Sequence, residues 1–383
     1  MRLLFVTGSL VHGGAERHTI TLSNRLAERG HECHLAYVKN DPSQLERLRG
    51  AASVHCLEAG SYLDRGALET LTARIRDLNP SVVVAVNAYA LLYARLALRR
   101  AGVAAPLVVT WHTTLLRNAK EWLQMLYYRP FFWSADRLVF VCEAQRRYWV
   151  RRLVTGRANE VIYNGVDTDT WVYREVERVA LRRVLGYSEG DFVVGMSAVL
   201  RAEKNPVQLV SAVAQLRAWG IPARALYIGD GPLRGAVEAA ARRLGVAGEV
   251  TITGLQQDVR PLLAACDAVA LCSTAVETFS LAALEALALG RPVVHSAVGG
   301  AAEMIRPGAN GYLFRVNDDG ALAERLALLA DAERRSRMGA AARNSAAARF
   351  SEHSMIERYE KLFLELELAR SKRENLRRPA GAH

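Results

Sequence analysis

Glu277 and Glu285 stand eight positions apart in ETFSLAALEALALGRPVV, residues 277–294, which is otherwise small and apolar from Phe279 to Leu289. Such a run suits a helix packed against a buried sheet, so two carboxylates within it need a reason. The preceding AVALCS reads as a strand ending near Cys272, with a loop to about Thr278. The backbone N–H groups of Phe279, Ser280 and Leu281 would then lie at the helix start and form an anion site. Glu277 would sit in the loop just before it. If every intervening residue were helical, Glu285 would lie ~12 Å further along. Two carboxylates at that separation cannot share one bond-breaking atom. They could bracket an extended ligand with hydroxyls at both ends and negative charge between, and a nucleotide sugar has that form. On spacing alone, Glu285 could equally be a helix-surface glutamate or a buried one paired with an arginine.

A diphosphate gathers charge as it leaves, so cations are expected near it. SAVLRAEKNP places Arg201 and Lys204 after a strand and before a helix, where they could serve this role or simply be surface cations. GDGP at 229–232, which includes Gly229, and VGGAAEMI at 298–305 supply Gly-rich strand-to-helix turns. In the first half, TGSLVHGGAERHT follows the first strand, and Gly13 and Gly14 allow close backbone approach to a ligand. The pattern is not GxGxxG, which weighs against a nicotinamide site. LVVTWHTTL sets His112 just past a strand's carboxyl end, where a lone histidine is more often structural.

Positioning these residues takes a repeating strand–helix chain. LLFVT, HLAYV, SVHCL, VVVAV, LVVTW and LVFVC are short apolar runs without polar alternation, as expected of parallel strands buried on both faces. The pattern pauses at YNGVDTDTWVYREVERV, residues 163–179, where NG and Asp/Thr mark turns. It restarts with FVVGMSAV, ARALYIGDG, EVTITG, AVALCS and RPVVHS. The expected class is α/β, with two doubly wound domains joined near residue 170, and 383 residues suffice for two cores.

The ordered set NGVD, RAEKN, GDGP, ETFSLAALEALALGRPVV, GGAAE and NGYLF resembles the retaining glycosyltransferases of family 4, with their E-x7-E signature. The resemblance spans roughly residues 1–365. It implies a GT-B fold of two Rossmann-like domains with a cleft between them. The acceptor-side domain would be 1–170 and the nucleotide-sugar donor domain 171–350. A helix at 351–367 would return to the first domain, leaving 368–383 as a basic tail that frays from Arg370. Carried over, Lys204 contacts the donor diphosphate, Glu277 faces the donor sugar, and Phe279, Ser280 and Leu281 offer backbone amides. Glu285 binds the ribose, and Gly14 and Gly229 lie on the donor side. Gly13, Glu16 and Arg17 face the acceptor, although Glu16 and Arg17 could instead merely begin a helix. His112 matches the family's active-site histidine, expected to hydrogen-bond and position the donor sugar. The family often has an arginine five residues before the lysine, where this chain has Val199; Arg201 stands only three before it. The resemblance implies a hexosyltransferase that keeps the anomeric configuration and needs no metal or other cofactor.

The charge of +11 is unevenly placed: twelve Lys/Arg stand against three acids between Arg95 and Arg157, where four of six tryptophans also lie. That balance suits an anionic membrane surface, and less well nucleic acid. A solvated basic face over core tryptophans is the plainer alternative. The expected partners are a nucleotide-sugar donor, a saccharide or lipid-linked saccharide acceptor, and anionic lipid, with no nucleic acid. The expected product is a lipopolysaccharide or other surface glycan, made in the cytoplasm on the inner face of the cell membrane. A non-catalytic glycosyltransferase-like subunit and a sugar-nucleotide epimerase are the alternatives. Five scattered cysteines without a CxxC pair point to reduced thiols, and the first residues lack the pattern of a signal peptide.

Overall fold

A computed structural model describes residues 1–11, 13–113, 116, 118–275 and 277–377. These residues form two compact units, one within residues 1–163 and 355–377 and one within residues 164–354.

The first unit holds seven strands: Arg2–Thr7 (β1), Glu32–Tyr37 (β2), Ser53–Cys56 (β3), Val82–Val86 (β4), Leu107–Trp111 (β5), Arg137–Phe140 (β6) and Asn159–Val161 (β7). They pair in parallel in the order β3-β2-β1-β4-β5-β6-β7. Successive side chains of a strand point to opposite faces, and β1 shows the consequence. Leu4 and Val6 join a core with Leu68, Leu71 and Ile75 of helix Arg65–Leu78 and with helix Asn87–Ala101. Leu3 and Phe5 join the opposite core with Ile20, Leu22 and Leu26 of helix Gly14–Glu28. Tyr359, Leu362, Phe363 and Leu366 of the last helix complete that second core.

This last helix, Glu352–Arg377, is longer than composition suggests. Residues 370–377, expected to be a fraying tail, are helical, and residues 378–383 lie outside the described residues. The physical reason is anchorage. Arg370 donates to Pro80 O at 2.8 Å, and Glu360 accepts from Arg29 at 2.6 Å.

The second unit holds Phe192–Ser197 (β8), Ala223–Ile228 (β9), Val250–Ile252 (β10), Ala268–Leu271 (β11), Val293–Ser296 (β12) and Gly311–Phe314 (β13). They are parallel in the order β10-β9-β8-β11-β12-β13. Buried Asp267 fixes the start of the central pair: it accepts the Val193 amide at 2.8 Å and bonds Arg182 at 2.8 Å and Arg178 at 2.9 Å. In each sheet the strand order reverses once, between β1 and β4 and between β8 and β11. Ligands of doubly wound folds bind beyond the carboxyl ends of the strands at such a point.

All five cysteines are free, and all but Cys56 are fully buried. Among the described residues no helix is long and apolar enough to cross a membrane.

Candidate active site

In the second unit, Lys204 and Glu277 meet at the switch point. Lys204 ends a 3-10 turn, Ala202–Lys204, in the loop after β8, and Glu277 lies in the loop after β11. The Lys204 ammonium donates to Glu277 Oε2, and the Ser273 hydroxyl donates to the same oxygen at 2.9 Å. The two loops are also joined through their backbones, Thr274 N–H to Glu203 O at 2.9 Å. Burial works against the Glu277 charge, but the Lys204 charge and the hydrogen bonds from Lys204 and Ser273 outweigh it, so its carboxyl lies below the ordinary range. Burial also pulls His295 below its usual value, so that ring is neutral at pH 7 and Lys204 supplies the compensating charge. Each ammonium has three donors, so the pair leaves Lys204 capacity for a phosphate oxygen.

Glycines set this arrangement. Gly299 has φ +54°, and a Cβ there would lie 1.7 Å from Glu277 O. Gly300 N–H bonds Thr278 O at 2.8 Å, so the Gly-Gly turn holds the Glu277 loop from behind. Gly229 has φ +141°, and a Cβ there would meet Ala198 O at 2.1 Å. The GDGP turn is therefore the backing of the loop that carries Lys204.

The helix after Glu277 begins later than its sequence suggests. It spans Leu281–Ala288 with Ser280 as N-cap, whose Oγ accepts the Ala283 amide at 3.3 Å. Phe279 and Ser280 thus precede the helix, and only Leu281 of the three expected amides lies in its first turn. The cause is the capping preference of serine together with a buried Phe279, whose carbonyl accepts from Asn164 Nδ2 at 3.2 Å. Glu285 is buried within this helix, which excludes the surface reading. Arg201 is not brought to the pair: its side chain is half exposed and lies 3.7 Å from Glu203.

In the first unit, Gly13 caps helix Gly14–Glu28 with an extended backbone, φ −157°. Glu16 and Arg17 lie in its first turn, half-buried, and burial raises the Glu16 carboxyl despite a backbone hydrogen bond that lowers it. His112 follows β5, and its amide bonds Asn87 Oδ1 at 2.9 Å. Asn87, with φ +64°, follows β4 at the switch point and was not marked by any motif. The His112 ring lies 4.8 Å from that of His18, which in turn lies 5.5 Å from Tyr359. Burial, with His18 adding, holds the His112 imidazole well below its ordinary value. No motif singles out Ser273, His295, Asn87 or His18, whereas Asn164 opens NGVD; position just past a strand end marks Ser273 and Asn87.

His18 predicts an acid-sensitive fold. Burial lowers it from 6.5 to about 4. The unfolded chain therefore binds the proton first, and stability falls as pH drops from about 6.5 towards 4. That gap corresponds to ~3 kcal/mol. Urea unfolding at pH 7 and pH 4 should show His18→Leu losing about 3 kcal/mol less than the parent chain over this range. An equal loss would remove His18 from the account.

Among the described residues no group of three or more His, Cys, Asp or Glu side chains could hold a metal ion.

Family models match both units: "Glycosyltransferase Family 4" over residues 12–170 and "Glycosyl transferases group 1" over residues 177–345. Among curated relatives, N-acetyl-alpha-D-glucosaminyl L-malate synthase of Bacillus anthracis is 30% identical over 208 residues, 54% of each chain. The match thus spans about half of that relative's length. Among solved structures, Alr3699/HepE of Anabaena in complex with UDP aligns with a TM-score of 0.84 at 24% identity, covering 95% of this chain and 100% of that one. The lipopolysaccharide outer core galactosyltransferase WaaB aligns with a TM-score of 0.75 at 18% identity, covering 95% and 99%. Two parallel, doubly wound sheets, the ordered motifs and both family models agree: the chain belongs to glycosyltransferase family 4 and has the GT-B fold.

Proposed function

We propose that this protein moves a sugar from a nucleotide-sugar donor to a hydroxyl of a lipid-linked or lipopolysaccharide-type acceptor, with retention and without a metal. The observation that carries the reading is the Lys204–Glu277 pair at the β8/β11 switch point. In this reading Lys204 neutralises the diphosphate, Glu277 faces the donor sugar, and buried Glu285 takes the ribose hydroxyls. The amides around Ser280 and Leu281 add positive potential. UDP is the first donor base to test, because the Anabaena protein of the same fold was crystallised with it.

A carboxyl held below the ordinary range is a weak base, and so is an imidazole held far below its own. Neither Glu277 nor His112 is suited to deprotonate the acceptor. The leaving diphosphate takes that proton as the acceptor oxygen bonds to the anomeric carbon on the face where the carbon–oxygen bond to phosphate breaks. Neutral His112 hydrogen-bonds the sugar and orients it. Gly13, Glu16 and Arg17 line the acceptor side, and Gly14 lies on the donor side. Arg201, half exposed, contributes only long-range attraction.

A membrane-borne acceptor is supported by helix Ala119–Trp133, which exposes Trp122, Leu123, Leu126, Tyr127 and Trp133. The other two tryptophans of the basic window, Trp111 and Trp149, are buried in the core, so half of the aromatic signal is structural. A small carboxylic acid acceptor, as the Bacillus anthracis relative's name indicates for that enzyme, would leave this face without a role. Co-sedimentation should show binding to anionic vesicles that Trp122→Ser with Trp133→Ser abolishes; indifference to both changes would remove the membrane from the account.

Incubation with UDP-, GDP- and ADP-sugars tests the reaction itself. One donor should release its nucleoside diphosphate slowly, at a rate unchanged by EDTA. No release from any donor, with none binding, would refute the activity.

A further inference from the structure

The first unit contains a cavity of about 450 Å³ lined by Arg95, Arg99, Arg137, Arg157, Arg370 and Arg373. It lies where β5 and β6 begin, since Pro106, Asp136 and Arg137 also border it. His112 is at the far end of β5, about 16 Å away at strand spacing. The cavity is thus separate from the candidate active site, and nothing in the donor or acceptor reading uses it.

Its charge is not balanced from within. Asp136 and Glu365 are the two carboxylates in its lining. Asp136 accepts the Leu107 amide at 2.9 Å with one oxygen and Arg157 at 2.9 Å with the other. Arg137 donates to the carbonyl of Asp136, which orients it without neutralising it, and Arg370 donates to the carbonyl of Pro80. Burial, then repulsion from Arg157 and Arg99, acts against the charge of Arg95, and Asp136 offsets this only in part. Six guanidinium groups held together by helix Asn87–Ala101, the strand starts and the last helix form a preset cationic bowl. Planar guanidinium forks match phosphate oxygens two at a time, and the volume suits a small molecule.

We propose that this cavity binds a multiply charged phosphate anion, a diphosphate or larger, distinct from the sugar donor. The anion could be free in solution or be the headgroup of an anionic lipid; the chemistry of recognition is the same.

The test is calorimetric titration of the full chain with inorganic pyrophosphate. It is run in the parent and in Lys204→Ala, so that diphosphate binding at the donor site is separated from binding here. Arg95→Gln with Arg99→Gln should weaken pyrophosphate binding about tenfold or more in both backgrounds. Arg99 is exposed, so Arg99→Gln alone, expected to weaken binding severalfold, serves if the double variant does not fold. Sedimentation with phosphatidylglycerol vesicles distinguishes the sources. Loss of both pyrophosphate and vesicle binding assigns the site to a lipid headgroup, and loss of pyrophosphate binding alone assigns it to a free anion. Unchanged pyrophosphate binding in the folded variants overturns the proposal.

Discussion

Lys204→Ala should slow donor turnover by about 10²–10³-fold, because it removes a preorganised cation from the atoms that gain charge in the transition state. It should also destabilise the second unit by about 2–4 kcal/mol, since Glu277 would be left charged, largely buried and held only by Ser273. The two effects are separable. Adding Glu277→Gln removes the stranded charge, so the double variant should regain most of the stability in urea unfolding and none of the turnover. Recovery of turnover along with stability would mean that Lys204 acts only as a structural partner of Glu277.

Gly299→Ala carries the second large effect, and it reaches the site without touching a ligand. A non-glycine residue at φ +54° costs ~1–2 kcal/mol, and here its Cβ would collide with Glu277 O at 1.7 Å. The turn and the Glu277 loop must separate, which endangers the bond between Gly300 and Thr278. Displacement of the loop by about 1 Å can cost about 10²-fold in rate. Gly299→Ala should therefore melt lower and turn over donor about 10²-fold more slowly, with Lys204 and Glu277 both in place. Full activity in a destabilised variant would show that the turn supports folding but not the position of Glu277.

The eleven short runs read as strands in the sequence correspond to strands, because a parallel strand buried on both faces is close to continuously apolar. β7 and β13 are different. NEV at β7 is short and half-buried, and GYLF at β13 is an edge strand whose sequence stands out as a motif and not as a strand. Lys204, Glu277 and Glu285 were marked as charge in apolar or strand-end settings, and the structure brings the first two into contact. That contact was not legible, because it depends on β8 and β11 being neighbours although some 70 residues separate the two side chains. The helix start was misplaced by two residues because apolar Phe279 extends the run while Ser280 ends it as a cap. The expected fraying from Arg370 fails for a related reason: Arg370 itself finds a carbonyl partner, Pro80 O, that composition does not reveal.

The central claim is that the second unit holds a nucleotide sugar at the carboxyl ends of β8 and β11. A crystal structure of the protein with the nucleotide sugar selected by the donor-release screen tests it most directly. The account predicts the diphosphate on the Lys204 ammonium and the ribose hydroxyls on the Glu285 carboxylate. A nucleotide bound elsewhere, or one at this place with Lys204 turned from its phosphates, would contradict it.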